Sequence, residues 1–495
     1  MYIVMVASEC APVAKAGGLG DVVSGLGREL ALRGNEVEIV LPKYDCLRYD
    51  HIWDLQVAWH DLWVPWYHGA IHCTVYFGHV HGQRCLFIEP HSPDRFFDRG
   101  THYGFHDDHL RFAFFSKAAM EFLLVSGRRP DIIHSHDWQT AIVPVLLYEI
   151  YQLQGMGHPR VCHTIHNFRH QGIVGDDVLY ATRLDRPEYY HHDDRLQDDF
   201  NPSALNLLRG AIVYANFVTT VSPYHAWEVL YTDQGYGLGH ILHRYRAKFG
   251  GVINGLDYHT WNPEIDPYIP YHYGAEDIRP KYANKHALRQ RLLLSEEYKP
   301  IIASIGRLCT QKGVHLIRHA LFYALEHHAQ FVLLGSASEA GINEEFWYLK
   351  HLLNDNPDCH LELGFDEELA HLIYAGADMI VVPSLFEPCG LIQMIALRYG
   401  TVPVVRAVGG LVDTVFDHDY APRPPSQRNG YVFEHFDIQG IESALHRALG
   451  LWNHHPEAFL DLVHNGMRQD FSWRQPAQDY LNIYEYIRDN SALSM

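Results

Sequence analysis

Residues 1–41 constrain the fold more than any other stretch. A continuous apolar run, Tyr2-Ile-Val-Met-Val-Ala7, leads into the glycine-rich loop Lys15-Ala-Gly-Gly-Leu-Gly-Asp21. An amphipathic segment near 21–33 follows, and then a second apolar run, Val37-Glu-Ile-Val-Leu41. A short β-branched run that is apolar throughout is covered on both faces, as parallel strands under helices are. Strand, loop, helix and strand in that order make a βαβ unit. Apolar runs near 84–88, 131–134, 161–165 and 217–221 extend it into a first open, largely parallel sheet with helices on both faces. After Val252-Ile-Asn-Gly-Leu-Asp257, a stretch rich in Pro and Tyr from Trp261 to about Pro280 breaks the periodicity and ends this unit. A second series has strands at 300–305, 330–334, 360–363, 378–382 and 402–405. The expected class is therefore α/β, with two Rossmann-like doubly wound domains facing across a deep cleft. Ligands belong at the carboxyl ends of the strands.

Composition excludes several other classes. The chain has 495 residues, 47% of them apolar, enough for more than one core. No apolar run approaches the roughly 18 residues of a spanning helix, and Met1 leads straight into a strand, so no membrane is expected. A cytoplasmic protein is expected: bacterial cytosol, or plastid stroma for a mature plastid form. The eight cysteines are scattered without C-x-x-C pairs and read as reduced thiols. With 39 basic against 59 acidic side chains the net charge is −20, which disfavours nucleic acid as a partner and requires a local basic pocket for any anionic substrate. The 37 histidines include His106-Asp-Asp-His109 and His191-His-Asp-Asp194, whose spacings match no metal motif and read as solvated faces. No metal and no cofactor are expected.

The chemistry-bearing residues fall on strand-to-helix turns. In the first loop, glycines such as Gly17 and Gly18 let backbone approach a ligand, and a helix N-terminus offers free N–H groups to an anion. Lys15 adds a point charge for phosphate, or is a solvated loop lysine. The loop is not G-x-G-x-x-G in register, and Leu41-Pro-Lys43 stands where a ribose-binding acid belongs, which disfavours a dinucleotide. Arg307 and Lys312 share the turn after 300–305, a placement suited to a diphosphate that leaves with growing charge. Glu387, in Ser384-Leu-Phe-Glu-Pro-Cys-Gly-Leu391, is a helix cap or a carboxylate for sugar hydroxyls and an oxocarbenium charge. His134-Ser-His-Asp-Trp138 and His163-Thr-Ile-His-Asn167 end two apolar strands and so point toward the expected cleft, with His166 a ligand contact or a satisfied loop histidine and Asp137 a ligand contact or a cap for the helix that follows.

Together these segments resemble the bacterial glycogen synthases and plant starch synthases that use ADP-glucose, which are retaining glycosyltransferases of the GT-B fold. The combination of K-x-G-G-L-G-D, R-x-x-x-Q-K-G and S-x-F-E-P-C-G-L carries the resemblance. It extends over nearly the whole chain through Thr220-Val-Ser-Pro223, Gly251-Val-Ile-Asn-Gly-Leu-Asp257, Val408-Gly-Gly-Leu411 and Asp470-Phe-Ser-Trp473. Asn284-Lys-His-Ala-Leu-Arg289 resembles cyanobacterial members and class III/IV starch synthases. The resemblance implies an acceptor domain at 1–255, a nucleotide-sugar domain at 256–474 and a last helix, 475–495, that crosses back to the first domain. It also implies ADP-glucose as donor and an α-1,4-glucan (glycogen, starch or a maltooligosaccharide primer) as acceptor. Lys15, Gly17, Gly18 and Asp21 would line the donor cleft; Arg307 and Lys312 would hold the diphosphate; Glu387 with Cys389, Gly390 and Leu391 would bind glucose. His166, Asp137 and Asn167 would face the sugar from the first domain, with Asn254 and Tyr103 as further substrate contacts.

Ala16, Arg209 and Ala407-Val408 depart from the common pattern of Thr, Lys, and a basic residue followed by Thr. The loop Phe96-Phe-Asp-Arg-Gly-Thr-His-Tyr103 lacks a proline after Arg, and its aromatics suit either sugar stacking or the core. The alternatives are a GT-B transferase with another donor or a small acceptor, as in sucrose synthases, and a catalytically silent glucan-binding protein.

Overall fold

The opening apolar run forms β1 (Tyr2–Val6), with Ile3, Val4, Met5 and Val6 completely buried. It pairs in parallel with β2 (Glu36–Pro42), placing Met5 opposite Ile39. Beyond β2 come β3 (Trp53–Trp66), β4 (Gly69–Val80) and β5 (Gln83–Pro90). On the other side of β1 stand β6 (Ile132–His136) and β7 (Arg160–Ile165). A short ribbon of β8 (Ile173–Val174) and β9 (Leu205–Asn206) lies apart, and β10 (Phe217–Thr220) and β11 (Phe249–Gly251) complete the sheet. Its order is β11-β10-β7-β6-β1-β2-β5-β4-β3.

The edge of this sheet differs from the largely parallel expectation, because β4 runs antiparallel to both β3 and β5. The cause is local. His81 (φ 49°) and Gly82 (φ 78°) make a two-residue turn between β4 and β5 with both central residues at positive φ, the geometry that closes an antiparallel hairpin. Most of β3 is exposed, so its sequence lacks the continuous apolar run that marks the central strands.

The computed structural model describes residues 1–490, in two compact units: Met1–Gly255 joined by the segment from Trp473, and Leu256–Ser472. The second unit carries one parallel sheet built from β12 (Ile301–Ile305), β13 (Gln330–Gly335), β14 (Cys359–Leu363), β15 (Met379–Val382), β16 (Val402–Arg406) and β17 (Tyr431–Phe433). The order is β14-β13-β12-β15-β16-β17. Each sheet is thus wound in both directions from a central strand. The order reverses between β1 and β6 in the first unit and between β12 and β15 in the second.

The first helix spans Gly18–Leu32, a turn earlier than the expected 21–33. Gly17, in extended backbone at φ −154°, is its N-cap, so the loop's last glycines are already helical and Asp21 lies in the first turn. That position favours a carboxylate against the helix dipole. Leu19, Val22, Val23, Leu26 and Leu30 give the buried face its helical spacing.

The last helix, Arg474–Asp489, packs on the first unit; residues 491–495 of the expected helix lie outside the described residues. Tyr480 and Tyr484 are fully buried, and Trp473 lies so close to Gly25 that a Cβ there would stand 2.0 Å from the indole Nε1. The Tyr484 hydroxyl bonds His134 Nδ1 at 2.7 Å, and Tyr480 joins Thr164 at 3.2 Å. Tyr484→Phe is expected to leave a buried imidazole nitrogen unpaired, a loss of about 1–3 kcal/mol. Thermal unfolding should show the first transition lowered by a few degrees, with the secondary structure of the folded protein unchanged.

Candidate active site

In the first unit three turns lie side by side at the carboxyl ends of β1, β6 and β7, which the sheet makes neighbours. The turn after β1 is held by a residue no motif announced. Glu9, 4% exposed, accepts hydrogen bonds from the N–H groups of Ala16 (2.8 Å) and Gly17 (2.9 Å) through Oε2. Its Oε1 accepts from the Tyr103 hydroxyl at 2.7 Å, and that hydroxyl also meets Ser8 Oγ at 2.8 Å. Tyr103 therefore ties its loop to the glycine turn, while Phe96 and Phe97 belong to the core. Lys15 Nζ lies 2.8 Å from Asp21 Oδ1, both partly exposed. A Cβ on Gly17 or Gly18 would meet nothing within 4 Å, so the protein's own packing does not demand glycine at either position.

The turns after β6 and β7 are bonded to each other. Asp137, at φ 56°, holds a backbone conformation that non-glycine residues adopt at a cost, as residues in functional sites do. Its Oδ1 accepts from the N–H groups of His166 (2.6 Å) and Asn167 (3.3 Å). Burial pushes the Asp137 carboxyl up to about 7, against the lowering effect of those two N–H groups, and the charge of nearby Glu9 adds to the rise. Behind the turn, His136 Nδ1 and His166 Nε2 are 3.1 Å apart. Burial holds His166 down to about 3 and His136 far below its ordinary value. Asn254 shares no hydrogen bond with any of these residues, and its Oδ1 is buried without a partner.

In the second unit the turns after β12, β15 and β16 are likewise adjacent. Lys312 Nζ forms an ion pair with Glu387 Oε2, which also accepts from Ser384 Oγ at 2.9 Å. Glu387 and Ser384 are buried, whereas Arg307 is exposed and, among the described residues, its guanidinium has no partner within the protein. Gly306, Arg307, Lys312 and Ser384 line one small cavity at this edge. The backbone of the Glu387 turn lies hard against the turn after β16. A Cβ on Gly409 would stand 1.9 Å from the Glu387 carbonyl oxygen, and one on Gly410 would stand 2.2 Å from that of Cys389. Gln393 Nε2 donates to the carbonyls of Cys389 (3.0 Å) and Gly390 (2.8 Å), fixing those peptide planes.

The departures from the common pattern occupy structural positions. Arg209 is buried, donates to Asp199 Oδ1 at 2.6 Å and to the Asp193 carbonyl, and so pins the 193–199 segment to its own helix. Val408 packs with Val382, Val405, Leu411 and Val415. Ala16 is exposed and contributes its N–H to Glu9. The His106–His109 cluster is dispersed into separate pairs, Asp107 with Arg99, Asp108 with Arg111 and His109 with Asp177. His192, Asp193 and Asp194 bring their ligand atoms within 4.8 Å of one another on the surface.

Two doubly wound sheets, the first with an antiparallel edge and the second wholly parallel, give the chain the architecture of GT-B glycosyltransferases, as in the starch synthase structure described below. The starch synthase catalytic domain family matches residues 2–244, and the group 1 glycosyl transferase family matches 286–458. The chain is 65% identical over 489 residues to glycogen synthase 1 of Trichormus variabilis, covering 99% of both chains. It is 64% identical over 484 residues to glycogen synthase 2 of Methylococcus capsulatus, covering 98% of this chain and 99% of that one. The solved catalytic domain of starch synthase IV from Arabidopsis thaliana, bound to ADP and acarbose, superposes with a TM-score of 0.95 at 44% identity over 99% of each chain. Sucrose-phosphate synthase from Thermosynechococcus elongatus, at a TM-score of 0.61 and 19% identity, shares the fold. The chain belongs to the glycogen synthase and starch synthase family of glycosyltransferases.

Asp137 gives this site a pH signature. Its carboxyl is raised in the folded protein from 3.8 to about 7, so between those values the folded state binds more protons than the unfolded state. By linkage, its contribution makes stability fall as pH rises from about 4 to about 7. Asp137→Asn keeps an acceptor for the two N–H groups and removes the charge. The variant should gain about 1–4 kcal/mol over the native protein at pH 8 and little at pH 4, an upper range set by 1.36 kcal/mol per pKa unit. Denaturant unfolding at the two pH values measures it.

Proposed function

We propose that this protein transfers glucose from ADP-glucose to the non-reducing end of an α-1,4-glucan, with retention of the α configuration, and does so in the cytosol. The observation that carries the reading is the Lys312–Glu387 pair with the unpartnered Arg307 beside it at the switch point of the second sheet. Arg307 and Lys312 hold the diphosphate, and their charge offsets the charge that develops on the leaving ADP. Glu387 and the backbone of Cys389, Gly390 and Leu391 bind the transferred glucose. The first unit receives the glucan, while its Lys15, Gly17, Gly18 and Asp21 line the donor cleft and His166, Asp137 and Asn167 face the glucose, with Asn254 and Tyr103 as further substrate contacts. The acceptor hydroxyl attacks on the face from which ADP leaves.

The relatives named glycogen synthase support the polymer, and the ADP bound to the Arabidopsis enzyme supports the donor. Among the described residues no helix is long and apolar enough to cross a membrane. Burial keeps His166 neutral, which suits a hydrogen-bonding role toward a sugar rather than a cationic one.

The test measures ADP release and chain elongation with ADP-glucose and with UDP-glucose, each with and without a maltooligosaccharide primer. Rapid elongation is expected only with ADP-glucose and primer. Preference for UDP-glucose would move the site to another transferase, and absence of turnover with either would favour a binding protein. Arg307→Ala, Lys312→Ala and Glu387→Ala should each lower kcat by roughly 10²–10³-fold, the usual loss when one preorganised charge-stabilising group is removed. Unchanged turnover at saturating donor would refute these assignments.

A further inference from the structure

We infer that His136 is a positioning residue that fixes the tautomer of His166, so that His166 presents an Nδ1–H donor to the sugar. Both rings are held neutral by burial, and their contact through His136 Nδ1 and His166 Nε2, 3.1 Å apart, needs one proton between the two nitrogens. Two arrangements satisfy that contact. Either His136 Nδ1–H donates to His166 Nε2, or His166 Nε2–H donates to His136 Nδ1.

The far side of each ring decides between them. His136 Nε2 is buried with no partner. If His166 were the donor, His136 would carry its own proton on that sealed nitrogen, an orphaned N–H in the interior. Orphaned donors are rarer in folded proteins than under-used acceptors. If His136 is the donor, the sealed nitrogen is a bare acceptor, and the proton of His166 sits on Nδ1. His166 is only partly buried, and among the described residues its Nδ1 makes no hydrogen bond, its contacts being Nε2 to His136 and its backbone N–H to Asp137. Free imidazole slightly favours the opposite tautomer, and the sealed environment of Nε2 outweighs that preference.

His136 is itself locked. It lies at the end of β6, its N–H donates to Thr140 Oγ1 at 2.7 Å, and its ring packs 4.1 Å from that of His134. His134 in turn is bonded at both nitrogens, to Thr164 Oγ1 (2.7 Å) and to the Tyr484 hydroxyl (2.7 Å) of the last helix. A chain of buried groups thus supports the orientation of His166. A ring fixed in this way offers a donor and no basic nitrogen toward the ligand, which excludes His166 as a general base. The catalytic consequence rests on the proposed glucosyl transfer; the tautomer does not.

The experiment therefore has two arms. Long-range proton–nitrogen NMR on protein with ¹⁵N-labelled histidine, the His166 signals assigned with His166→Asn, reads the tautomer without any substrate. A protonated, pyrrole-type Nδ1 and a bare, pyridine-type Nε2 on His166 are expected; the reverse pattern overturns the inference. In the second arm His136→Asn retains an N–H at the place of Nδ1, whereas His136→Phe fills the space without a donor. Glucosyl transfer should lose roughly tenfold or more in kcat in His136→Phe, about one hydrogen bond's worth, with donor KM little changed, and should recover most of it in His136→Asn. Equal losses in both variants would make His136 a packing residue and overturn the positioning role. A protein that transfers no glucose at all would fail the functional reading, while the NMR arm would still decide the tautomer.

Discussion

Parallel strand order governs everything else in this molecule. When strands run in one direction, every strand-to-helix turn falls on the same edge, and the turns at the switch point are the ones that the flanking helices do not cover. The first unit puts the turns of β1, β6 and β7 there, and the second puts those of β12, β15 and β16 there. Lys15 follows β1 as Arg307 and Lys312 follow β12, and Asp137 follows β6 as Glu387 follows β15, so side chains far apart in sequence occupy equivalent places in their own sheets. Glycine makes the close approach of such turns feasible. Gly409, Gly410 and Gly313 each lie where a Cβ would collide with a backbone carbonyl of the 383–389 segment.

Polar burial is the second design constraint, and histidine is how this chain meets it. A neutral imidazole offers one donor and one acceptor, and burial holds it neutral, so it can complete an interior network without a stranded charge. His134, His136 and His163 do this behind the first site. In the second unit His371 stacks on Trp261 at 4.1 Å and pairs with buried Asp266, which also accepts from Tyr399. Five of the 37 histidines, His134, His136, His163, His225 and His371, are buried in this way.

Most of the architecture was legible because central parallel strands are apolar on both faces and announce themselves as continuous runs. The hairpin of β3 and β4 was not, since its exposed outer strand mixes aromatic, acidic and apolar residues without a clean period. The charged candidates at the strand ends were legible from their motifs. Glu9 was not: a lone carboxylate three residues past the end of a strand has no signature, and its role depends on a tyrosine 94 positions away. Arg209 and Val408 could be seen to depart from a pattern, but only packing reveals that one is an interior clamp and the other part of an apolar cluster. The pairing of His136 with His166 was hidden for the same reason, because strand register rather than spacing brings them together.

In a chain of net charge −20, two of the three cations of the proposed site already have a carboxylate partner, Lys15 with Asp21 and Lys312 with Glu387, and among the described residues Arg307 has none. The Lys15–Asp21 pair is partly exposed, and such pairs contribute about 0–1 kcal/mol, so little opposes its exchange for a ligand. The Lys312–Glu387 pair is largely buried, and removing either partner leaves an uncompensated charge. An arriving diphosphate resolves that problem in the proposed mechanism: it takes over Lys312 together with Arg307, and Glu387 is freed to accept hydroxyl groups of the glucose attached to that diphosphate. Neutral sugar and anionic diphosphate are then both required to satisfy the site, so a free nucleotide would leave the Glu387 carboxylate short of donors. In the proposed mechanism, discrimination in favour of the intact nucleotide sugar would follow from this exchange of partners.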